Sequence, residues 1–165
     1  MVPDPRKILA AAALSAALLA SIGLCAESAP NGAIRLLPGD MKWGPPSGPQ
    51  GLQTVTLAGN PDVPGPYAER IRLPAGTRLA PHSHPNEARM VTVLSGTLYY
   101  GTGTVFDESK LAPLPAGSFF TEPKDAPHYA LAREEVILQL NANGPAGTRF
   151  VEETKQIRVI AGGKP

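Results

Sequence analysis

Histidine is the residue type in this chain with the clearest potential for chemistry. His82 and His84 form a His-x-His pair, and the third histidine, His128, follows Pro127. On a β-strand, alternate side chains point to the same face, so the pair would aim two imidazoles into one space. An imidazole from a neighbouring strand would complete a three-nitrogen group, and imidazole is a favoured ligand for iron, zinc, copper and nickel. The histidines therefore predict a site for one divalent metal ion.

The elements that must position the histidines are predicted to be β-strands. The 165 residues include 17 Gly and 19 Pro, and short apolar runs recur between these turn formers, at residues 55–57, 71–73, 90–94 and 136–140. This spacing is typical of an all-β sandwich or barrel. We also expect a first strand over residues 33–37 and a hairpin that turns at Ser95 and Gly96.

The N-terminus has a different character from the rest of the chain. Arg6 and Lys7 precede an uncharged run rich in alanine and leucine over residues 8–24. This order predicts a secretory signal peptide over residues 1–26, cleaved near Ala26 to Ser28, and a periplasmic or secreted β-domain over residues 33–160. Two alternatives stay open, an uncleaved membrane anchor and a lipoprotein modified at Cys25.

Charge argues against a nucleic-acid partner. The chain has 15 basic and 14 acidic residues, and removal of residues 1–26 takes away Asp4, Arg6 and Lys7. The remaining chain would carry 15 − 2 = 13 basic and 14 − 1 = 13 acidic residues, a formal net charge of zero. Such a surface has no electrostatic footprint for nucleic acid. The same cleavage removes the only cysteine, so no disulfide is required of the secreted form.

Two longer patterns surround the histidines. They read Gly76-x5-His82-x-His84-x4-Arg89-x6-Gly96 and Gly117-x5-Pro123-x-Asp125-x2-His128-x3-Ala132. These patterns resemble the two signature motifs of the cupin superfamily, Gly-x5-His-x-His-x3–4-Glu-x6-Gly and Gly-x5-Pro-x-Gly-x2-His-x3-Asn. The resemblance implies a cupin barrel, a double-stranded β-helix or jelly roll with a metal ion in its mouth. Two further segments, Trp43-Gly44-Pro45 and Val93-Leu94-Ser95-Gly96-Thr97, resemble secreted, single-domain bacterial cupins.

The chain departs from the family pattern at three positions. Arg89 stands where the pattern has an acidic metal ligand, and a guanidinium has no lone pair to offer a metal. Asp125 replaces a glycine, which is tolerable because Asp can adopt the left-handed turn conformation. Ala132 replaces an asparagine, at the cost of a local hydrogen bond.

Three polar residues are candidate additions to the site. Glu87 could replace the missing acidic ligand, or it could be a solvated carboxylate; we expect it outside the metal's ligands, because its turn opens toward solvent. Arg89 could bind a substrate carboxylate, or it could face outward or pair with Glu87. Gln139 could donate a hydrogen bond inside the barrel, or it could be a polar residue at the edge of the core.

The function implied by the resemblance is broad, because cupins include oxygenases, isomerases, ligand-binding modules and storage proteins. A three-histidine site without the acid resembles the thiol dioxygenase arrangement, and quercetinase-like oxygenases belong to the same superfamily. The leading hypothesis is a metal-binding cupin of the cell envelope that binds or acts on a small molecule, as a dioxygenase-like oxidoreductase if it is an enzyme. The alternative is a non-enzymatic module for ligand binding, sensing or metal storage. The metal stays open among Fe, Mn, Zn, Ni and Cu, and pairing of cupins through an edge strand makes a homodimer compatible with the resemblance.

Overall fold

A computed structural model describes residues 32–48 and 50–151. The expected signal segment over residues 1–26 lies outside the described residues, and so do residues 152–160 of the expected barrel domain. The chain divides into two units, Met1–Arg35 and Leu36–Pro165, and the fold below is that of the second unit. Within the described part of the chain, no helix has the length and apolar character needed to span a bilayer.

β-Strands are the main regular structure of the described residues, as the recurring apolar runs predict. The strands are β1 (Gln53–Ala58), β2 (Gly65–Leu73), β3 (Arg78–Ser83), β4 (Arg89–Ser95), β5 (Thr97–Thr102), β6 (Ala112–Pro115), β7 (Phe119–Glu122), β8 (His128–Ala132), β9 (Val136–Gly144) and β10 (Arg149–Phe150). Two single turns of 3-10 helix, Pro38–Asp40 and Glu108–Lys110, are the helical elements of this region. The all-β prediction is confirmed.

The strands form two antiparallel five-stranded sheets. The first sheet has the order β1-β2-β9-β4-β7, and the second has the order β10-β3-β8-β5-β6. Their inner faces form the apolar core, as alternation along β9 illustrates: Val136, Leu138, Leu140 and Ala142 are buried, and the residues between them are less so. Two packed sheets of this kind make the jelly roll that the motifs predict.

The connection at Gly96 differs from the sequence-based expectation. The predicted hairpin is wrong, because β4 lies in the first sheet and β5 lies in the second. Pairing of β4 with β9 is irregular between Val93 and Ser95, and Gly96 has a φ of 72°. The bulge and the left-handed glycine redirect the chain from one sheet to the other. A side chain at Gly96 would also collide with the Glu135 carbonyl oxygen. The strand predicted over residues 33–37 is likewise wrong, because these residues are not part of a strand.

Candidate metal centre

The second sheet brings the three histidines together. His82 lies near the end of β3, His84 follows that strand, and His128 begins β8, directly opposite His82 in the strand register. All three side chains are buried. One ring nitrogen from each lies within 4.8 Å of the others, a group that could hold a metal ion. The structure thus assembles the three imidazoles that the spacing predicted would share one space.

Backbone carbonyls set the orientation of each imidazole ring. The Nδ1 atoms of His82, His84 and His128 lie 2.8, 2.8 and 3.0 Å from the carbonyl oxygens of Ala80, Gly147 and Ala126, respectively. A carbonyl can only accept, so in a neutral imidazole Nδ1 carries the proton and Nε2 keeps its lone pair. Metal-ligating histidines are held in this way.

The Nε2 atoms are the ring nitrogens available to a metal ion. Those of His84 and His128 are buried, and among the described residues neither has a hydrogen-bond partner of good geometry. An unsatisfied buried polar atom is costly, and in native proteins it calls for an explanation such as an ion. Three oriented imidazoles, two of them with buried Nε2 atoms that lack a hydrogen-bond partner in the described part of the chain, fit a divalent transition metal.

Glu122 is a site residue that sequence reasoning missed. It ends β7, directly opposite Arg89 of β4, and its carboxylate is almost fully buried. One carboxylate oxygen lies 3.3 Å from Nε2 of His84, and the other lies 3.4 Å from Nε2 of His128. Its place just before Pro123 of the second motif was a visible signal, but only the strand register shows that it reaches the imidazoles.

Burial sets the protonation states of the group. Desolvation lowers the pKa of His82 to about 4, and it also lowers the pKa of His128 against the opposing charge of Glu122. Burial alone would raise the pKa of the Glu122 carboxyl, but contact with His84 and the charges of His128 and Arg89 leave it below its usual range. At neutral pH the lowered pKa values favour neutral imidazoles at His82 and His128 beside an ionised Glu122 carboxylate, the states in which both types of side chain ligate metals.

An apolar cavity of about 290 Å³ opens beside the imidazoles. His82, His84, Arg89 and Glu122 line one part of it. The remaining wall is mostly aliphatic and includes Ile71, Leu73, Leu79, Val91, Leu138, Leu140 and Phe150. A largely apolar pocket with a few convergent polar groups is the usual form of a small-molecule site.

Glu87 and Arg89 form a pair at the edge of this cavity. The buried Glu87 carboxylate accepts a hydrogen bond of 2.7 Å from the Tyr67 hydroxyl at one oxygen. Its other oxygen accepts from Arg89, 2.8 Å from Nε and 2.6 Å from Nη2. The structure thus places Glu87 with Tyr67 and Arg89 and not among the clustered imidazoles. We expected its turn to open toward solvent, but the carboxylate is buried. The ion pair with Arg89 and the hydrogen bond from Tyr67 offset the cost of burying its charge.

Gln139 lies away from the site. It alternates along β9 with Leu138 and Leu140, which line the cavity, so its side chain points to the opposite face of the sheet. There its side-chain oxygen accepts a hydrogen bond of 3.1 Å from Nε of Arg70. The structure gives this residue an outer-face role in place of the interior one that we considered.

The turn before His128 tolerates its departure from the family pattern. Asp125 has a φ of 60°, the left-handed conformation that the glycine of the motif would supply. Its backbone N–H donates a hydrogen bond of 3.1 Å to the carbonyl oxygen of His84. The turn therefore ties the two histidine-bearing segments to each other.

The depressed pKa of His82 predicts a loss of stability in mild acid. The unfolded chain takes up this proton below about pH 6.5, whereas the folded protein does so only near pH 4. The free energy of unfolding is therefore highest above pH 6.5. It falls as the pH is lowered towards 4, by an amount on the order of 3 kcal/mol. Urea unfolding of metal-free protein between pH 7 and 4 would measure this slope. His82→Gln should reduce this slope without removing it, because the pKa values of His128 and Glu122 are lowered as well. An equal slope in that variant would contradict the prediction.

Comparison with known proteins supports the cupin fold. No protein-family model matches the chain, and no curated protein matches it. Among solved structures, KdgF from Halomonas sp. aligns with a TM-score of 0.52 at 20% identity, covering 66% of this chain and 93% of that one. An RmlC-like cupin from Shewanella frigidimarina aligns with a TM-score of 0.52 at 19% identity, covering 66% and 87%.

A third structure belongs to a larger protein. A salicylate 1,2-dioxygenase from Pseudaminobacter salicylatoxidans aligns with a TM-score of 0.52 at 18% identity, covering 66% of this chain and 32% of that one. The chain therefore has a cupin fold, and within it a three-histidine group that could hold a metal ion. At these identities the likeness concerns the fold alone.

Proposed function

We propose that the protein is a metal-dependent cupin that binds a small, apolar-bodied anion beside a divalent metal and acts on it. The observation that carries this proposal is the convergence of three oriented imidazoles at one part of an apolar cavity. His82, His84 and His128 would hold the metal. When bound, a divalent metal supplies Lewis-acid polarisation, activation of water or, as iron, activation of oxygen.

The charges around the cavity favour a ligand with a single negative charge. The ionised Glu122 would offset one of the two positive charges of the metal, and Arg89 and Glu87 offset each other. One positive charge is left in a low-dielectric pocket, where an anionic head group would be attracted strongly. The aliphatic wall would contribute by burial of the apolar body, at about 25 cal/mol per Å².

Arg89 would position such an anion in the cavity. Its side chain lines the cavity, and the ion pair with Glu87 fixes the guanidinium there. A planar guanidinium recognises a carboxylate through parallel hydrogen bonds, so it would orient the head group relative to the imidazoles. The aliphatic residues opposite would exclude water from the ligand.

Oxygenation is the reaction class that we put first. A three-histidine group suits it, and one matched structure is a salicylate 1,2-dioxygenase in complex with gentisate, with a TM-score of 0.51 at 20% identity. The test is elemental analysis of the purified protein, followed by oxygen consumption by the iron-loaded form over a panel of small carboxylates. Oxygen consumption that requires both iron and a carboxylate supports an oxygenase function. Carboxylate binding without oxygen uptake would instead indicate a binding or sensing module.

We also propose that the protein acts outside the cytoplasm, on the strength of the basic and apolar N-terminal pattern. Expressed with residues 1–26 in place, it should accumulate as a form that lacks the first 26 to 28 residues. Intact-mass measurement of periplasmic and membrane fractions checks this expectation. An unprocessed chain in the membrane fraction would indicate an anchor, and a lipid-modified Cys25 would indicate a lipoprotein.

A further inference from the structure

We infer that Glu122 is the carboxylate ligand of the metal and takes the place of the acid that is missing at Arg89. This inference rests on the proposed metal site and adds a ligand to it from a strand outside the first motif. Arg89 and Glu122 are directly opposite in the pairing of β4 with β7, and both line the cavity. Directly opposite residues of an antiparallel pair share a face of the sheet. The carboxylate is therefore supplied by the neighbouring strand, on the same face of the sheet as Arg89.

The distances at Glu122 are those between neighbouring ligands of one ion. Two donors about 2.1 Å from the same metal, at an angle between roughly 90° and 110°, lie about 3.0–3.4 Å from each other. The Glu122 carboxylate oxygens lie 3.3 and 3.4 Å from Nε2 of His84 and His128. These two nitrogens are buried and lack a well-formed hydrogen bond within the described residues. A shared ion would satisfy both nitrogens and the carboxylate together.

The cation at position 89 does not compete for this carboxylate, because another acid is paired with it. Nε and Nη2 of Arg89 both donate to one oxygen of Glu87. The other Glu87 oxygen accepts from the Tyr67 hydroxyl. Both Glu87 oxygens are thus engaged, one by Arg89 and the other by Tyr67, whereas the Glu122 oxygens face imidazoles. The two buried glutamates have different tasks, and only Glu122 is placed to ligate.

The matched pair Glu122→Gln and Glu87→Gln tests this division. Each variant replaces a buried carboxylate by an isosteric amide beside the same cavity. Affinity would be measured for Mn²⁺ and Zn²⁺ by competition with a chromophoric chelator. We expect Glu122→Gln to weaken Mn²⁺ binding by at least the roughly 10–100-fold that loss of a group supporting a metal site costs. The loss should be smaller for Zn²⁺, which depends less on oxygen ligands than Mn²⁺ does. Glu87→Gln should keep a Mn²⁺ affinity close to that of wild type, because this carboxylate contacts Tyr67 and Arg89 and not the imidazoles.

A second readout separates loss of a ligand from a general disturbance of the fold. The visible absorption of the Co²⁺-loaded protein depends on the ligand set, so Glu122→Gln should change it and Glu87→Gln should not. Unfolding of both metal-free variants shows whether either has lost its structure. If wild type binds no metal, the proposed function itself fails. If wild type binds metal while Glu122→Gln keeps its affinity and its Co²⁺ spectrum, or Glu87→Gln is the more damaged, the assignment of Glu122 is overturned.

Discussion

Replacing His128 with alanine should abolish stoichiometric binding of a divalent metal while leaving the β-sheet structure intact. The imidazole is buried, its Nδ1 lies 3.0 Å from the Ala126 carbonyl oxygen, and its Nε2 lies close to Glu122. Removal deletes one of three nitrogen donors, so the loss should exceed the roughly 10–100-fold that removal of a supporting group causes. His84→Ala should have the same effect. Metal content after dialysis against a weak chelator, with far-ultraviolet circular dichroism of the same samples, measures both properties.

Tyr129→Phe is the matched control for this experiment. Tyr129 is the next residue of β8, it is fully buried, and its hydroxyl donates a hydrogen bond of 3.3 Å to the Asp107 carbonyl oxygen. Its side chain points to the face opposite that of His128, because neighbours on a strand alternate. The control loses a buried hydrogen bond, at a cost of about 1 kcal/mol, without losing a metal donor. Equal metal content in His128→Ala and Tyr129→Phe would contradict the assignment of the site.

The cluster of histidines was predictable because it follows from local rules. The His-x-His spacing sets which side chains share a face of a strand, and this rule does not depend on the rest of the fold. The motif that contains His128 adds a turn whose left-handed residue, Asp125, is recognisable from its type. The family resemblance then placed His128 beside the pair. The all-β class followed from the short apolar runs between Gly and Pro, and the jelly roll followed from the resemblance.

The carboxylates were not predictable in the same way. Glu87 is close to the histidines in sequence, which made it the natural candidate, yet the structure commits it to Tyr67 and Arg89. Glu122 is distant in sequence and reaches the imidazoles because β7 pairs with β4. Non-local strand pairing is not a local property of the chain. A substitution such as Arg89 is therefore better interpreted with the residue opposite it than with its neighbours along the chain.

The crossing at Gly96 shows the same difference between local and non-local information. A Ser-Gly pair between two strand-like runs is a common hairpin signal, and local reasoning cannot distinguish it from a change of sheet. The deciding features are the irregular pairing of β4 with β9 and the close approach of the Glu135 carbonyl to Gly96. Both depend on a strand that comes some 40 residues later. The site depends on the same crossing, because β4, which carries Arg89, lies in one sheet and the strands of the histidines lie in the other.

Arg89→Ala should weaken binding of a small apolar carboxylate to the metal-loaded protein by about 10- to 150-fold. This range corresponds to about 1.5–3 kcal/mol for a charge-assisted hydrogen bond in a buried site. The Arg89 side chain lines the cavity and is mostly buried, so water screens its charge poorly. Octanoate is a suitable probe, since its chain can lie along the aliphatic wall, and octanamide is its uncharged counterpart. Calorimetric titration of both into wild type and variant measures the effect.

Arg70→Ala is the matched control for Arg89→Ala, because it removes another arginine of the first sheet. Arg70 contacts Gln139 on the outer face and does not line the cavity. It should leave octanoate binding unchanged, whereas Arg89→Ala should reduce octanoate affinity towards that of octanamide. Metal content should be retained in both variants, since neither arginine supplies a donor. If Arg89→Ala and Arg70→Ala bind octanoate equally well, the guanidinium does not recognise the anion. The positive charge of the metal would then be the group that attracts it.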